Sequence, residues 1–395
     1  MKFIHIGCWN YKDFSESYVS KSLNNFVDNN FQENDFIVIA GDNYYPNIEE
    51  YDNTKIKWIN VENFIEGLNS MPENPKKYLL FGNNDINDKT ILDEDSKNNL
   101  EEMFKDYKGY DSFNNITEDY NKMKTCRLVD IELLYTKTKG KNYKIYDDVM
   151  SIKCNKTLII MIDTSIYDKE INDESVQCYK RILEKDYYKK LTLEELINEQ
   201  NEKIEKIINE NINNCNNIII IGHHPICGMK TIQVDNVNNN DCYYNEKLVD
   251  LFKFISKCIK DNKVTTKIIY LCSHIHLYQR SEINIDDIII EQYICGCGGA
   301  ILDNLTTDMV NKKDANYEII IRHEDIYFKI IELINQTYGY LSITIPDNDN
   351  NLEIEFIKAK EINKSDNNEI NKKTKTNYER KYMKYKSKYL SKKLN

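Results

Sequence analysis

The fold class that the sequence predicts is α/β, with short buried strands alternating with amphipathic helices. Two observations support this prediction. Short apolar runs, of which residues 36–40 (FIVIA) are the clearest, recur between segments whose apolar residues have helical spacing. Each run ends in a small group of polar residues, and in open α/β sheets that end of a strand is where ligands bind. The chain of 395 residues is long enough for a sizeable core.

The predicted strands are apolar runs that stop at polar or glycine-containing segments. The earliest is followed by Gly7, and the run at 36–40 stops at Gly41. In chain order, the predicted strands cover residues 2–6, 36–40, 77–81, 158–162, 218–221, 268–272, 288–295, 338–345 and 352–357.

The predicted helices follow from apolar residues that repeat at helical spacing. Such faces occur at residues 19–27, 61–68 and 248–259. The clearest helix runs from residue 192 to residue 212, because Thr192 and Glu195 have the spacing of a capping box ahead of one apolar face.

Two segments stand apart from this alternation. Residues 109–156 are polar, rich in Tyr and Asn and weakly patterned, so we interpret them as an insertion over the site or a variable edge. Residues 361–395 form a basic tail, predicted to be helical because its tyrosines at 378, 382, 385 and 389 fall on one helical stripe. The main domain is therefore predicted to span residues 1–360.

The charge is distributed unevenly between these two parts. The chain carries a formal net charge of −11. Residues 372–395 hold ten basic residues against one acid, a contribution of +9, so the preceding 371 residues carry −20. An acidic body argues against a nucleic-acid or membrane surface. The tail leaves nucleic acid open as a partner, although its composition favours docking on an acidic body or protein.

The cysteine pattern and the N-terminal residues indicate where in the cell the protein is expected. Eleven cysteines, an odd number, occur without any C-x-x-C pair, which is typical of reduced thiols. The N-terminal residues lack the apolar region of a signal peptide, and no apolar run approaches the roughly 18 residues of a membrane helix. We therefore expect an intracellular, cytoplasmic protein without a membrane partner.

Candidate metal ligands follow the strand at 36–40. Asp42 and Tyr45 offer a carboxylate and a phenol, which are hard oxygen ligands suited to a charged metal, and Asn43 lies between them. Taken alone, Gly-Asp-Asn after a strand is more often a turn with a solvated Asp. The argument for a site is that polar groups recur at the other predicted strand ends.

Histidines strengthen the case for a metal. Only six occur in the chain, and four of them lie at two strand ends: His223, His224, His274 and His276. Imidazole is the commonest side-chain ligand for metals, and residues i and i+2 of an extended segment point the same way. A single histidine would more often be a core residue, but four at strand ends indicate a site.

Six motifs occur in a characteristic order and carry a family resemblance. They are Gly7-x-Trp9, Gly41-Asp42-Asn43-Tyr44-Tyr45, Gly82-Asn83-x-Asp85, Gly222-His223-His224-Pro225, His274-x-His276 and Gly296-Cys297-Gly298-Gly299. The ordered set resembles the calcineurin-like metallophosphoesterases, and most closely their tartrate-resistant (purple) acid phosphatase branch. The resemblance spans about residues 1–345.

The resemblance implies a four-layer sandwich, in which two mixed β-sheets are flanked by helices, with a two-metal site at the strand ends. By match to the motifs, Asp42 would bridge the metals, Tyr45 and His276 would hold the first, and the second would be held by Asn83, His223 and His274. The implied cofactors are Fe, Zn or Mn, one or two ions per chain. The implied activity is hydrolysis of phosphate esters, on a phosphorylated small molecule or a phosphoprotein.

Two positions depart from the family pattern. Cys8 stands where the family has an Asp that binds the first metal. A thiolate at this position would favour zinc or another soft ion over ferric iron, while the alternative is a small buried Cys that binds nothing.

Asn84 stands where the family has a His that stabilises the phosphate and helps to protonate the leaving group. An amide cannot deliver a proton, and loss of general acid help typically costs about 10²–10⁴-fold. His224 is a candidate substitute, and Asp85 is a candidate partner that orients a ligand. The sequence thus leaves two functions open: a slow metal-dependent phosphoesterase, or a degenerate member with a binding or structural role.

Overall fold

The structure is a computed structural model of the whole chain. It describes residues 1–9, 14–43, 47–52, 55–59, 61–86, 142–146, 148–169, 171, 192–234, 237–262, 266–305, 317–320, 326–347 and 352–361. Residues 1–359 belong to one compact unit.

The first large sheet has six strands. Its members, in spatial order, are β18 (Glu353–Glu361), β17 (Thr337–Thr344), β1 (Lys2–Ile6), β2 (Phe36–Ala40), β5 (Lys76–Leu80) and β6 (Tyr143–Ile145). The run from β1 through β2 and β5 to β6 is parallel, and β17 is antiparallel to β1. Every residue of β2 is buried, as expected for a parallel strand covered on both faces.

The second large sheet has eight strands. Its members, in spatial order, are β15 (Tyr317–Ile320), β16 (Tyr327–Ile334), β13 (Tyr278–Ile285), β14 (Ile288–Cys295), β12 (Lys267–Cys272), β9 (Asn217–Ile221), β8 (Thr157–Met161) and β7 (Met150–Cys154). Strands β14, β12, β9 and β8 are parallel to one another, and the flanking pairs are antiparallel. The α/β prediction with two mixed sheets is confirmed.

Two hairpins lie outside the large sheets. One joins β3 (Asn47–Asp52) to β4 (Lys55–Ile59), and the other joins β10 (Cys227–Val234) to β11 (Val237–Tyr244). The second hairpin follows directly on Ile226, only a few residues after the end of β9. It therefore starts beside the histidines that follow β9.

The helices begin at polar caps. In α1 (Tyr18–Asn30), Ser17 accepts from the backbone of Ser20, and in α4 (Leu193–Asn211) the predicted capping box of Thr192 and Glu195 is present. The remaining α-helices of the described residues are α2 (Val61–Ser70), α3 (Asn83–Ile86) and α5 (Glu246–Asp261); 3-10 turns cover Phe14–Glu16, Ser165–Tyr167 and Ile212–Asn214. None of the helices within the described ranges is long and apolar enough to cross a membrane.

The two sheets meet directly below the candidate site. His5 and Gly7 share one face of the extended N-terminal segment, because side chains alternate along a strand. A Cβ added at Gly7 would lie 2.1 Å from Ser273 Oγ, at the end of β12. Only glycine allows this approach, so β1 packs closely against the eight-stranded sheet at the point where both sheets end.

Four segments differ from the sequence-based expectation or go beyond it. Residues between the histidines after β9 and α5, where no strand was predicted, form the β10–β11 hairpin. The polar residues of that hairpin hide its strand pattern. Residues 278–285 and 327–334, which were assigned no structure, are strands β13 and β16. Within the segment 109–156, β6 and β7 are edge strands of the two sheets, and residues 109–141 and the tail beyond residue 361 lie outside the described residues.

Candidate metal centre

The candidate centre lies where parallel strands of both sheets end. Cys8, Asp42 and Asn83 follow β1, β2 and β5 of the six-stranded sheet, whereas His223 and His274 follow β9 and β12 of the eight-stranded sheet. Because the carboxyl ends of parallel strands share one edge of a sheet, side chains distant in sequence can converge there.

Asn83 is the point at which these side chains meet. Its Oδ1 lies 3.2 Å from His223 Nε2 and 3.1 Å from His274 Nδ1. His223 Nε2 also lies 3.4 Å from Asp42 Oδ1. Four side chains predicted as metal ligands are therefore brought together from four different strand ends.

The proton of His223 is fixed by its backbone partner. Its Nδ1 lies 2.8 Å from the carbonyl oxygen of Ala40, which can only accept, so Nδ1 carries the hydrogen. Burial lowers the pKa of His223 to about 4, so the ring is neutral at pH 7. The lone pair on Nε2 then faces the oxygens of Asn83 and Asp42. Electron-rich atoms gathered in this way, without a proton between them, fit a bound cation.

Asp42 is a buried carboxylate held by the residue that replaces the family histidine. Asn84 donates its backbone N–H to Oδ1 (3.0 Å) and its side-chain amide to Oδ2 (2.8 Å). Burial alone raises the pKa of Asp42, whereas electrostatic interactions with His223 and His274 and the hydrogen bonds from Asn84 lower it to about 2. A Cβ at Gly82 would lie 2.3 Å from Asp42 Oδ1, so this approach also requires glycine.

The backbone is strained at three of the candidate ligands. Cys8, Asp42 and His274 have positive φ angles of 50°, 51° and 61°, which are uncommon for residues other than glycine. Each such residue costs about 1–3 kcal/mol and persists where the surrounding structure enforces it. Three of them at neighbouring strand ends indicate that the loops are shaped to present these side chains.

Asp85 orients the loops behind the centre. Its carboxylate accepts from the backbone of Gly82 (2.8 Å) and from the backbone and side chain of Asn43 (3.0 and 2.9 Å). Burial and the charge of Asp42 raise the pKa of Asp85 to about 8 in spite of these donors. Asn43 in turn accepts from the Trp9 indole at 3.2 Å. Asp85 thereby ties the end of β2 to the end of β5, as expected for a residue that positions ligands.

His224 is held by groups of the eight-stranded sheet. Its Nε2 lies 3.0 Å from Asp168 Oδ2, and its Nδ1 lies 3.3 Å from Thr164 Oγ1. Thr164 Oγ1 also accepts from the backbone N–H groups of His223 and His224, each at 2.8 Å. One hydroxyl therefore fixes both histidines of the loop.

The other predicted ligands have different placements. Cys8 Sγ lies 3.8 Å from Asp42 Oδ2. The Nδ1 atom of His276 lies 2.7 Å from the carbonyl of Ile301, and His276 is outside the two groups of close donor atoms in the described residues. These groups are His223 with His224 and His274, and Cys8 with Asp42 and His223, with donor atoms within 4.8 Å of one another. Tyr45 lies outside the described residues.

Several residues near the centre were missed at the sequence level. Thr164 and Asp168 follow β8, and their position after a strand could have indicated them. Tyr243 and Lys230 lie on the β10–β11 hairpin and gave no signal. The Tyr243 ring centroid lies 5.0 Å from that of His274, and Lys230 Nζ lies 5.3 Å from the Tyr243 centroid. The hairpin therefore places an aromatic ring and a cation beside the candidate ligands.

Comparison with known families shows which family has this arrangement of strands and side chains. The family model of calcineurin-like phosphoesterases matches residues 1–290. The chain belongs to the calcineurin-like phosphoesterase family. One solved structure, "GAP50 the anchor in the inner membrane complex of Plasmodium", is 14% identical, with a TM-score of 0.45, and the match covers 91% of this chain and 85% of that chain. Comparison with curated proteins gives no match.

Calcineurin-like phosphoesterases generally bind divalent metal ions. The donors gathered here suit such an ion, because imidazole nitrogens, an amide oxygen and a carboxylate oxygen converge. His223 Nδ1, the ring nitrogen on the far side from Asn83, donates to the carbonyl of Ala40. A metal-binding imidazole is usually oriented by such a hydrogen bond from its other nitrogen. The residues present therefore fit a metal ion.

Proposed function

We propose that this calcineurin-like phosphoesterase is a metal-dependent hydrolase of phosphate esters. The observation that carries the proposal is the convergence on Asn83 Oδ1 of His223 and His274, with Asp42 Oδ1 only 3.4 Å from His223 Nε2. The proposed substrates are phosphorylated small molecules or phosphoproteins. The tyrosine at position 45 supports a place near the purple acid phosphatase branch.

Asp42, Asn83, His223 and His274 would hold the ion. When bound, a divalent ion supplies positive charge that stabilises the transferring phosphoryl group and activates water for attack. The chain contributes orientation, since Thr164 fixes the backbone of the His223 loop and Ala40 fixes the proton of the His223 ring. Burial of His223 and Asp42 keeps bulk water away from these donors.

Protonation of the leaving group is the step for which this chain is least well equipped. Asn84 donates hydrogen bonds to Asp42 but has no acidic proton for a leaving group. His224 is fully buried, with Thr164 Oγ1 3.3 Å from Nδ1 and Asp168 Oδ2 3.0 Å from Nε2, and this arrangement favours an orienting role for His224. Hydrolysis is therefore proposed to be slow, and fastest for esters whose leaving groups need no protonation.

The proposal is tested by assaying the purified full chain with p-nitrophenyl phosphate and bis-p-nitrophenyl phosphate, with added Mn, Zn, Ni or Fe. We expect turnover that Asp42→Ala lowers by at least about 10²–10³-fold, the loss typical of removing one group that stabilises transition-state charge. Asp261→Ala removes an exposed carboxylate at the end of α5 and serves as the matched control. Turnover no higher than that of Asp42→Ala with every metal would contradict the proposal.

One observation favours a second function, that of a binding module that has lost catalysis. Asn84 occupies both oxygens of Asp42 through its backbone and side-chain N–H groups. The carboxylate thus has a protein donor at each of its oxygens. A chain that binds metal and phosphate without hydrolysing either ester would support this second function.

A further inference from the structure

Cys8 is held in place by both sheets. It lies two residues after the end of β1, it is fully buried, and its φ angle of 50° is left-handed. Its N–H donates to the carbonyl of Gly41 at 3.2 Å, and its carbonyl accepts from Ala300 at 2.8 Å. The backbone of Cys8 is therefore fixed between the loop after β2 and the loop after β14, and its side chain has a defined direction.

That direction brings the thiol to two other metal-ligating groups. Cys8 Sγ lies 3.8 Å from Asp42 Oδ2, and donor atoms of Cys8, Asp42 and His223 all lie within 4.8 Å of one another. Metal bonds of about 2.0–2.3 Å in a tetrahedral site place the donor atoms roughly 3–4 Å apart. The spacing between Cys8 and Asp42 falls in this range.

A second observation comes from the orientation of His223. Because Nδ1 donates to the carbonyl of Ala40, Nε2 is the ring atom that faces Asp42 Oδ1, at 3.4 Å. Cys8 Sγ lies beside the other oxygen of the same carboxylate. Sulfur, carboxylate and imidazole donors of three buried residues therefore lie together.

We propose that Cys8 is a further ligand of the ion held by Asp42 and His223, and that its sulfur makes this a zinc-type centre. The inference rests on the metal dependence of the proposed function, but not on catalysis. When the ion binds, the S–H bond of Cys8 breaks, its proton goes to solvent, and the sulfur electron pair forms the bond to the cation. Thiolate, imidazole and carboxylate together are the donors that zinc accepts, whereas ferric iron favours oxygen.

Cobalt(II) tests this ligand set, because it occupies zinc sites and gives a sulfur-to-metal charge-transfer band in the near ultraviolet when a thiolate binds it. The metal-free full chain is titrated with Co²⁺, and Zn²⁺ is then added. We expect the band to grow to saturation, to disappear in Cys8→Ser, and to be abolished in wild type by Zn²⁺. Cys297→Ser is the matched control, since Cys297 is another fully buried thiol after a strand and lies beside Cys295.

The variants are first compared by circular dichroism and thermal unfolding. If Cys8→Ser fails to fold, zinc X-ray absorption on zinc-loaded wild type decides instead, through a sulfur neighbour about 2.3 Å from the metal. Cobalt bound without the band, a band that persists in Cys8→Ser, or a zinc spectrum without a sulfur neighbour would overturn the inference. A chain that shows the band yet hydrolyses neither ester supports Cys8 as a ligand and contradicts the proposed function.

Discussion

The two sheets contribute different chemistry to the candidate centre. The six-stranded sheet supplies sulfur, carboxylate and amide groups through Cys8, Asp42, Asn83 and Asn84. The eight-stranded sheet supplies the imidazoles, of which His223 is held at Nδ1 by a carbonyl of the opposite sheet. Both departures from the family pattern lie on the six-stranded side.

Because both departures lie on one side of the centre, metal binding and proton delivery to a leaving group can be considered separately. Metal affinity depends on donor atoms and on the groups that orient them, and the imidazole side retains both. Protonation of a leaving group depends on one acid near the phosphate, and Asn84 cannot provide it. The proposed ligands come from both sheets, whereas the position of the general acid lies on the six-stranded side alone, so proton delivery can change while metal binding persists.

The largest effect is expected from changing the six-stranded side at Asn84. Asn84→His restores an imidazole where the family has one, and we expect it to raise kcat for phosphate monoesters with poor leaving groups by about 10²–10⁴-fold, the usual contribution of a general acid. Metal content should change little, since Asn84 is not among the proposed ligands. Steady-state kinetics with alkyl and p-nitrophenyl phosphates measures this gain.

Asn84→Ala is the control, because it removes the amide bond to Asp42 Oδ2 (2.8 Å) without adding an acid. If Asn84→Ala raises kcat as much as Asn84→His does, release of Asp42 explains the gain. Wild type already as fast as Asn84→His would mean that another group delivers the proton, and the contrast between the two sheets would fail.

A smaller effect is expected on the eight-stranded side, at Thr164. Thr164→Val removes the hydroxyl that accepts from the backbone of His223 and His224. Each buried N–H left without an acceptor costs about 1–3 kcal/mol, and a misplaced ligand typically lowers metal affinity by about 10–100-fold. Urea unfolding of the metal-free chain and competition with a chelating dye measure the two losses.

Thr164→Ser keeps the hydroxyl and should retain most of the stability and affinity. The opposite outcome is equally informative. If Thr164→Val binds Zn²⁺ as tightly as wild type, the imidazoles do not depend on this hydroxyl for their orientation.

The parallel strands and their ends could be predicted from sequence because local pattern determines them. Phe36–Ala40 is apolar throughout since both faces of β2 are covered, and the polar residues after it must lie at the sheet edge. The convergence of Asp42, Asn83, His223 and His274 followed from the same rule. Their distances did not, because these depend on close approaches that glycine allows at positions 7 and 82.

The hairpin and the ring partners could not be predicted, for a different reason. Lys230 lies on β10, where apolar and polar residues do not alternate regularly, and Tyr243 lies on β11, which is rich in Asn and Tyr. His224 lies beside Asp168, and His223 donates to Ala40. Both are tertiary contacts between segments far apart in sequence, so local sequence pattern does not predict them.

The smallest effect tests the contact between the two sheets at His5. Neither ring nitrogen of His5 has a hydrogen-bond partner among the described residues, and burial, followed by the charge of His223, lowers its pKa to about 3. An unfolded histidine has a pKa of about 6.5, so between these values the unfolded chain binds more protons. Stability is therefore lost as pH falls from about 6.5 towards 3, by roughly 2 kcal/mol between pH 8 and pH 5.

His5→Leu removes this titration, so the loss of stability between pH 8 and pH 5 should shrink by roughly 2 kcal/mol relative to wild type. Leucine should also stabilise the chain at pH 8, because no buried polar atom is left unpaired. His5→Gln separates the two contributions: it abolishes the same pH dependence but keeps a buried polar group. Urea unfolding of the metal-free chain at both pH values provides the comparison. If both variants keep the pH dependence of wild type, His5 is solvated in the folded chain, and the sheets are not closely packed beneath the centre.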